Sequence, residues 1–205
     1  MSEGRRGFKS QIWGSLSSPK RAFESIRGED LRRGLLLVII VSMASAYAGY
    51  NYASKLPVTM PVRNISILYA LRDGLRAVIG WIIPSALIHI FASIIAGKGS
   101  FRRMMAQTGF ASIPLLLQET LRLLDAFAIS REGLLSVVAS RSLGGTPAMR
   151  LLSEFLDVFT VFGLWAFALT AIAVAVNYGA SAKRTVMATL LAYLAFILLR
   201  FYLPF

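Results

Sequence analysis

Glu119, Arg122 and Asp125 are the residues of this chain whose types and spacing come nearest to chemistry. They interrupt an otherwise apolar run, and steps of three place them within about 120° of one helix face, with the guanidinium able to reach either carboxylate. A charge at mid-helix in a bilayer costs roughly 2.5–3.5 kcal/mol on insertion scales, so each of these groups needs a partner. Counted from Met104, Glu119 lies roughly 22 Å along a helix, which puts it in the outer half of a membrane and Asp125 near the interface. The depth favours a self-neutralised cluster facing the bundle or the outer headgroups over an ion, proton or polar-substrate site. His89, the single histidine, falls about 18 Å into another apolar run. It reads as a neutral imidazole hydrogen-bonded to a neighbouring helix, with a proton relay as the sharper alternative. Arg150 and Glu154 stand four apart, as a surface ion pair would.

Other chemistry is thinly supplied. There is no His-Glu-x-x-His, no Gly-x-Ser-x-Gly and no phosphate-binding Gly-rich loop. The absence of cysteine excludes disulfides, thiolate catalysis and Cys-based metal sites. No enzyme activity, metal or cofactor is expected.

The elements that must hold these residues are membrane helices. Ala77 to Gly97 is a run of 21 residues without a formal charge. At about 1.5 Å per residue it spans the ~30 Å hydrocarbon core of a bilayer. The basic turn Lys98–Arg103 follows, too short to be a domain, and a second apolar run leads back. Hydrophobic residues make up 56% of the 205, with mean hydropathy +0.64, which indicates a polytopic membrane protein rather than a soluble core. The net charge of +12 does not point to nucleic acid, because the Lys and Arg cluster at the ends of apolar runs, where they contact anionic lipid headgroups.

In chain order, residues 1–33 form a basic segment that lacks the apolar core of a signal peptide and is expected to remain in the mature protein. Phe8, Ile12, Trp13 and Leu16 recur at helical spacing and predict a short interfacial helix. Ser18-Pro19 opens a second one, with Ala22, Phe23 and Ile26 on its apolar side. Residues 34–205 form the membrane domain, an all-α bundle with five expected spans at about 34–54, 77–97, 104–128, 155–180 and 185–204. Ser45 and Gly49 in the first span, and Ala171, Ala175 and Gly179 in the fourth, are small residues four apart that permit close helix packing in lipid. Tyr47, Tyr50 and Tyr52 suit an interfacial aromatic belt. Between the first two spans, Pro57 and Pro61 predict an extended start and Asn64 caps a short helix ending near Gly74; Asn64-Ile65-Ser66 also fits a glycosylation acceptor. Pro84 and Pro114 fall inside the second and third spans, the former as a kink. In the loop before the fourth span, Leu134, Leu135, Val137 and Val138 suit the membrane surface, Gly144-Gly145 a turn, and Thr146-Pro147 a helix start. Arg200, the one charge of the last span, is expected to snorkel to the surface.

Five spans separate the termini. The tail, Lys98–Arg103 and Lys183–Arg184 carry 13 Lys/Arg on one side; the other side carries seven. This bias places the N-terminus in the cytoplasm and the C-terminus outside. The scarcity of Lys beside Arg suggests a prokaryotic source and hence the plasma membrane.

Several stretches resemble the Yip domain family. They are Ser18-Pro19-Lys20-Arg21-Ala22-Phe23, Gly97-Lys98-Gly99-Ser100-Phe101-Arg102, Ala111-Ser112-Ile113-Pro114, Trp165, and Gly179-Ala180-Ser181-x-Lys183. The resemblance covers most of the chain and implies five spans with a cytoplasmic N-terminus. Its eukaryotic members look like membrane-traffic proteins that bind small GTPases through cytoplasmic parts. The chain lacks the Asp-Leu-x-Gly-Pro signature of the Golgi members, having Asp30-Leu31-Arg32-Arg33-Gly34 instead, and its tail is short; it looks more like the prokaryotic branch. The reading is therefore a non-enzymatic interaction or accessory subunit, packing with itself or with other membrane proteins. A small transporter or channel subunit with a polar path near Glu119, Arg122 and His89 is the alternative.

Overall fold

A computed structural model describes residues 7–55, 62–134 and 146–203, the side chains at 62–64, 148 and 150 aside. Its helices are α1 (Phe8–Ser17), α2 (Pro19–Ser25), α3 (Leu31–Ser54), α4 (Val62–Ile95), α5 (Phe101–Ala111), α6 (Ile113–Ala128), α7 (Pro147–Val158), α8 (Val161–Tyr178) and α9 (Ala182–Tyr202), with a 3₁₀ turn at Gly28–Asp30. No strand occurs among the described residues.

Four stretches are long and apolar enough to cross a membrane: Gly28–Ser54, Ile65–Ile95, Val161–Tyr178 and Ala182–Tyr202. Their outward faces carry Met43, Leu68, Leu75, Ile94, Leu164 and Leu198, all exposed. So much apolar surface is incompatible with water and suits a lipid surround.

The expected third span is two helices. α5 ends at Ala111 and α6 begins at Ile113, with Pro114 in its first turn, where a missing N–H costs nothing. Together they still run the length of the bundle. Arg103 at the start of α5 touches α2, and Asp125 near the end of α6 touches Tyr52 at the end of α3. The expected fourth span is likewise divided. Thr146 caps α7 by accepting from Met149 N, and Thr160 caps α8 by accepting from Gly163 N. The short helix expected to stop near Gly74 is absent; α4 runs unbroken from Val62, with Pro84 inside it. Gly74 lies against α3, where its carbonyl accepts from Ser42 Oγ at 2.8 Å and an added Cβ would come within 3.3 Å of Ala46. The expectations for Pro57, Pro61, the Asn64 cap, Leu135, Val137, Val138, Gly144-Gly145 and the Arg150 side chain lie outside the described residues.

The core sits toward the end of the bundle that holds α1 and α2. Phe23, Ile26, Met104, Phe110, Leu169, Val174 and Ala188 are buried there together. α3 and α5 cross backbone to backbone, since a Cβ on Gly109 would lie 2.6 Å from the Gly34 Cα. α1 and α2 fold onto this base rather than standing clear of the protein. Phe8, Ile12 and Leu16 pack against the core while Trp13 stays 71% exposed. Two side chains of α5 fasten α2: Gln107 donates to Phe23 O at 2.9 Å, and Arg103 donates to Ile26 O, Glu24 O and Phe23 O at 2.9, 3.2 and 3.3 Å.

Candidate functional site

At the opposite end of the bundle the interior is charged. Its centre is Asp73, which is 3% exposed and which the sequence pattern put at the end of a short helix outside the spans. On the continuous α4 it faces α3, where Gly49 makes room; a Cβ at Gly49 would stand 2.6 Å from Asp73 Oδ2. Arg122 of α6 donates through Nη2 to that oxygen at 2.8 Å, and its Nη1 lies 3.4 Å from both Glu119 Oε2 and Ser45 Oγ. Arg72 donates through Nη2 and Nε to Asp73 Oδ1 at 2.8 and 3.0 Å, with its guanidinium over the Tyr69 ring. One buried carboxylate therefore holds two guanidiniums with charge-assisted bonds, about twice as strong as neutral ones. Ser45 and Gly49 are the α3 face on which this knot is tied.

Asp125 is not in the knot. It accepts the Tyr52 hydroxyl at 2.6 Å, nearer the rim. Beside it the Lys55 ammonium donates to Ala126 O, Ile129 O and Phe127 O at 2.7, 2.8 and 3.1 Å, closing the C-terminus of α6 where cations are favoured.

A second group of charges lies across the bundle. Arg200 of α9 is 8% exposed, with Nη2 2.8 Å from Glu154 Oε2 and 3.9 Å from Asp157 Oδ2. Arg76 of α4 approaches the same Glu154 oxygen at 3.8 Å. The expectation that Arg200 snorkels to the surface is thus overturned, because α7 folds back and presents Glu154 to it. Between the two groups is a cavity of about 500 Å³. Asp73, Arg122 and Arg200 line its charged end; Trp81, Ser85 and Thr108 line it deeper. The deep group is internally satisfied: Trp81 Nε1 donates to Thr108 Oγ1 at 3.1 Å, and Ser85 Oγ lies 2.8 Å from that oxygen.

His89 stands apart from all of this. Sixteen residues beyond Asp73 on α4, it is about 24 Å away along the helix. Its Nδ1 is hydrogen-bonded to the Tyr178 hydroxyl at the end of α8, and its ring packs 5.1 Å from Phe101. Ala171, Ala175 and Gly179 do not form one packing face. Ala171 is buried and Ala175 half-buried, while Gly179 is exposed with nothing within 4 Å of an added Cβ. Gly179 is needed for its backbone, a left-handed C-cap at φ 62° that turns α8 toward α9. Asp73, Arg72, Arg76 and Glu154 were missed as site residues. The available signal was that Asp73, Arg76 and Gly80 share a helical face continuous with the apolar run after them. Among the described residues no cluster of three or more His, Asp or Glu side chains could hold a metal.

A helical bundle with an apolar exterior and its charges paired inside is an integral membrane protein. The family model for the Yip1 domain matches residues 13–203, and the chain belongs to that family. An uncharacterized protein of Methanocaldococcus jannaschii is 22% identical over 108 residues, covering 49% of this chain and 77% of the relative. No solved structure matches the chain.

Proposed function

We propose that this protein works without catalysis, as an interaction or accessory subunit in the organisation or traffic of a membrane. It crosses the membrane five times, α5 and α6 making the third crossing, with its N-terminus in the cytoplasm of a prokaryotic cell and its C-terminus outside. Its partners are other membrane proteins or further copies of itself. Association with a small GTPase follows from the family resemblance alone.

The observation that supports this best is the matching of interior charges on one another. Arg122 of α6 is held by Asp73 of α4, and Arg200 of α9 by Glu154 of α7, so these charges tie helices together, while Arg72 adds a second guanidinium to Asp73 from α4 itself. Charges spent in this way stabilise a scaffold and leave few groups for acid–base work. The test is purification from the native membrane in mild detergent, with measurement of mass and composition. A stoichiometric partner or a defined homo-oligomer is the expected result, and a monodisperse monomer at every concentration would overturn it.

The cavity favours a second reading, a transporter subunit with Glu119 and Arg122 on its path. In reconstituted vesicles, Glu119→Gln would then abolish flux with the fold intact; on the scaffold reading no flux exists to lose.

A further inference from the structure

We propose that the cavity between α4 and α9 is a binding site for a phosphate-type oxyanion, gripped between Arg76 and Arg200. The proposal stands independently of whether the protein has a macromolecular partner. Of the arginines that line the cavity, Arg72 and Arg122 are engaged by Asp73, whereas Arg76 and Arg200 share the single carboxylate of Glu154. Arg76 meets it at only 3.8 Å. Arg200 is nine-tenths buried, lines the cavity, and has its Nε without a hydrogen-bond partner among the described residues. A buried guanidinium donor is costly to leave unmatched, and the planar fork of Arg suits two oxygens of one anion. Asp157 also faces Arg200, but at 3.9 Å and 53% exposed it leaves Nε uncovered.

The space beside these donors is real. Gly80 lines the cavity one helical turn from Arg76, and nothing lies within 4 Å of a Cβ added there. Tyr193 and Thr170 also line the wall. A volume of about 500 Å³ falls within the range of small-molecule sites. The anion can come from two sources, a free phosphate or phosphate ester, or the headgroup of a phospholipid.

The test is thermal unfolding of the full chain in detergent at fixed ionic strength. It is titrated with inorganic phosphate, with short-chain phosphatidylglycerol, and with sodium chloride as control. A saturable rise in Tm with phosphate assigns a free oxyanion, a rise with the phospholipid alone assigns a headgroup, and chloride should produce neither. Gly80→Leu extends into the space that is open around an added Cβ; it should fold and weaken binding at least about tenfold. Arg76→Gln should weaken binding to a similar extent, and decides the matter if Arg200→Gln fails to fold for want of a partner to Glu154. The proposal is overturned if neither ligand gives a saturable shift, if Gly80→Leu binds as wild type does, or if that variant cannot fold.

Discussion

At the scale of residues, Asp73 joins two arginines in the interior, one from its own helix and one from α6. It is buried, and both of its oxygens are occupied by arginines. Removing one partner of a buried pair is destabilising by about 3–5 kcal/mol, and the low end applies here because Arg122 is 36% exposed. Asp73→Asn should therefore lower stability by about 3 kcal/mol, with Asp73→Asn/Arg122→Gln losing less than the sum of the singles. A double-mutant cycle on detergent unfolding checks this, and strict additivity would show that the pair is not coupled. Gly49 belongs to the same contact. Gly49→Leu drives a side chain into Asp73 and should cost about 1–3 kcal/mol, although Leu is the better helix former. The same substitution at Gly80, where space is open, should cost little. Sequence could show that Glu119 and Arg122 share a face, and the structure does join them. It could not show that Arg122 has a better partner on another helix, since that pairing depends on how α4 and α6 are placed rather than on spacing within one of them. Arg200 was misread for the same reason: the carboxylate that holds it inside comes from α7.

At the scale of elements, the chain's apolar runs state where the helices are, and the turn chemistry states where they stop. Ser18-Pro19 and Thr146-Pro147 fall at the helix starts they signal, whereas Gly179, read as a packing residue within a span, ends α8. Where hydropathy alone was used, bounds were lost. A charged start hid the first turns of α4, and an apolar run with Pro114 hid the division of α5 from α6. The docking of α1 and α2 was also hidden, since an amphipathic helix suits a headgroup layer as well as a protein surface. In this chain α2 is held by Arg103 and Gln107, whose donors satisfy the carbonyls at its end. Hydrogen bonds from charged groups are worth about 1.5–3 kcal/mol each. Arg103→Ala should release the segment. Limited proteolysis should then cut between α2 and α3, near Arg27, well before the bundle unfolds, while the wild type resists. Equal resistance would mean that the apolar contacts of Phe23 and Ile26 suffice.

At the scale of the whole molecule, two facts must be reconciled: an apolar exterior and a net charge of +12. They are reconciled by sorting along the bundle axis. The end that holds Lys20, Arg102, Arg103, Lys183 and Arg184 is rich in cations, which anionic headgroups attract. At the other end Arg72 and Arg122 are held by Asp73, and Arg76 and Arg200 share Glu154. Of these only Arg72 and Arg76 are among the seven, and their local pairing weakens their contribution to orientation, so the effective asymmetry exceeds the 13-to-seven count. The chain has no cysteine, so single substitutions at exposed positions can report sidedness. With a membrane-impermeant maleimide on intact cells, Arg131→Cys and Tyr202→Cys should label at once, and Lys20→Cys and Ser181→Cys only after permeabilisation. The four positions separate two questions. The reverse pattern would keep an odd number of crossings and invert the orientation. Labelling of Lys20→Cys and Tyr202→Cys from the same side would mean an even number of crossings, and the divided helix pair α5–α6 would then be the element that enters the membrane without passing through it.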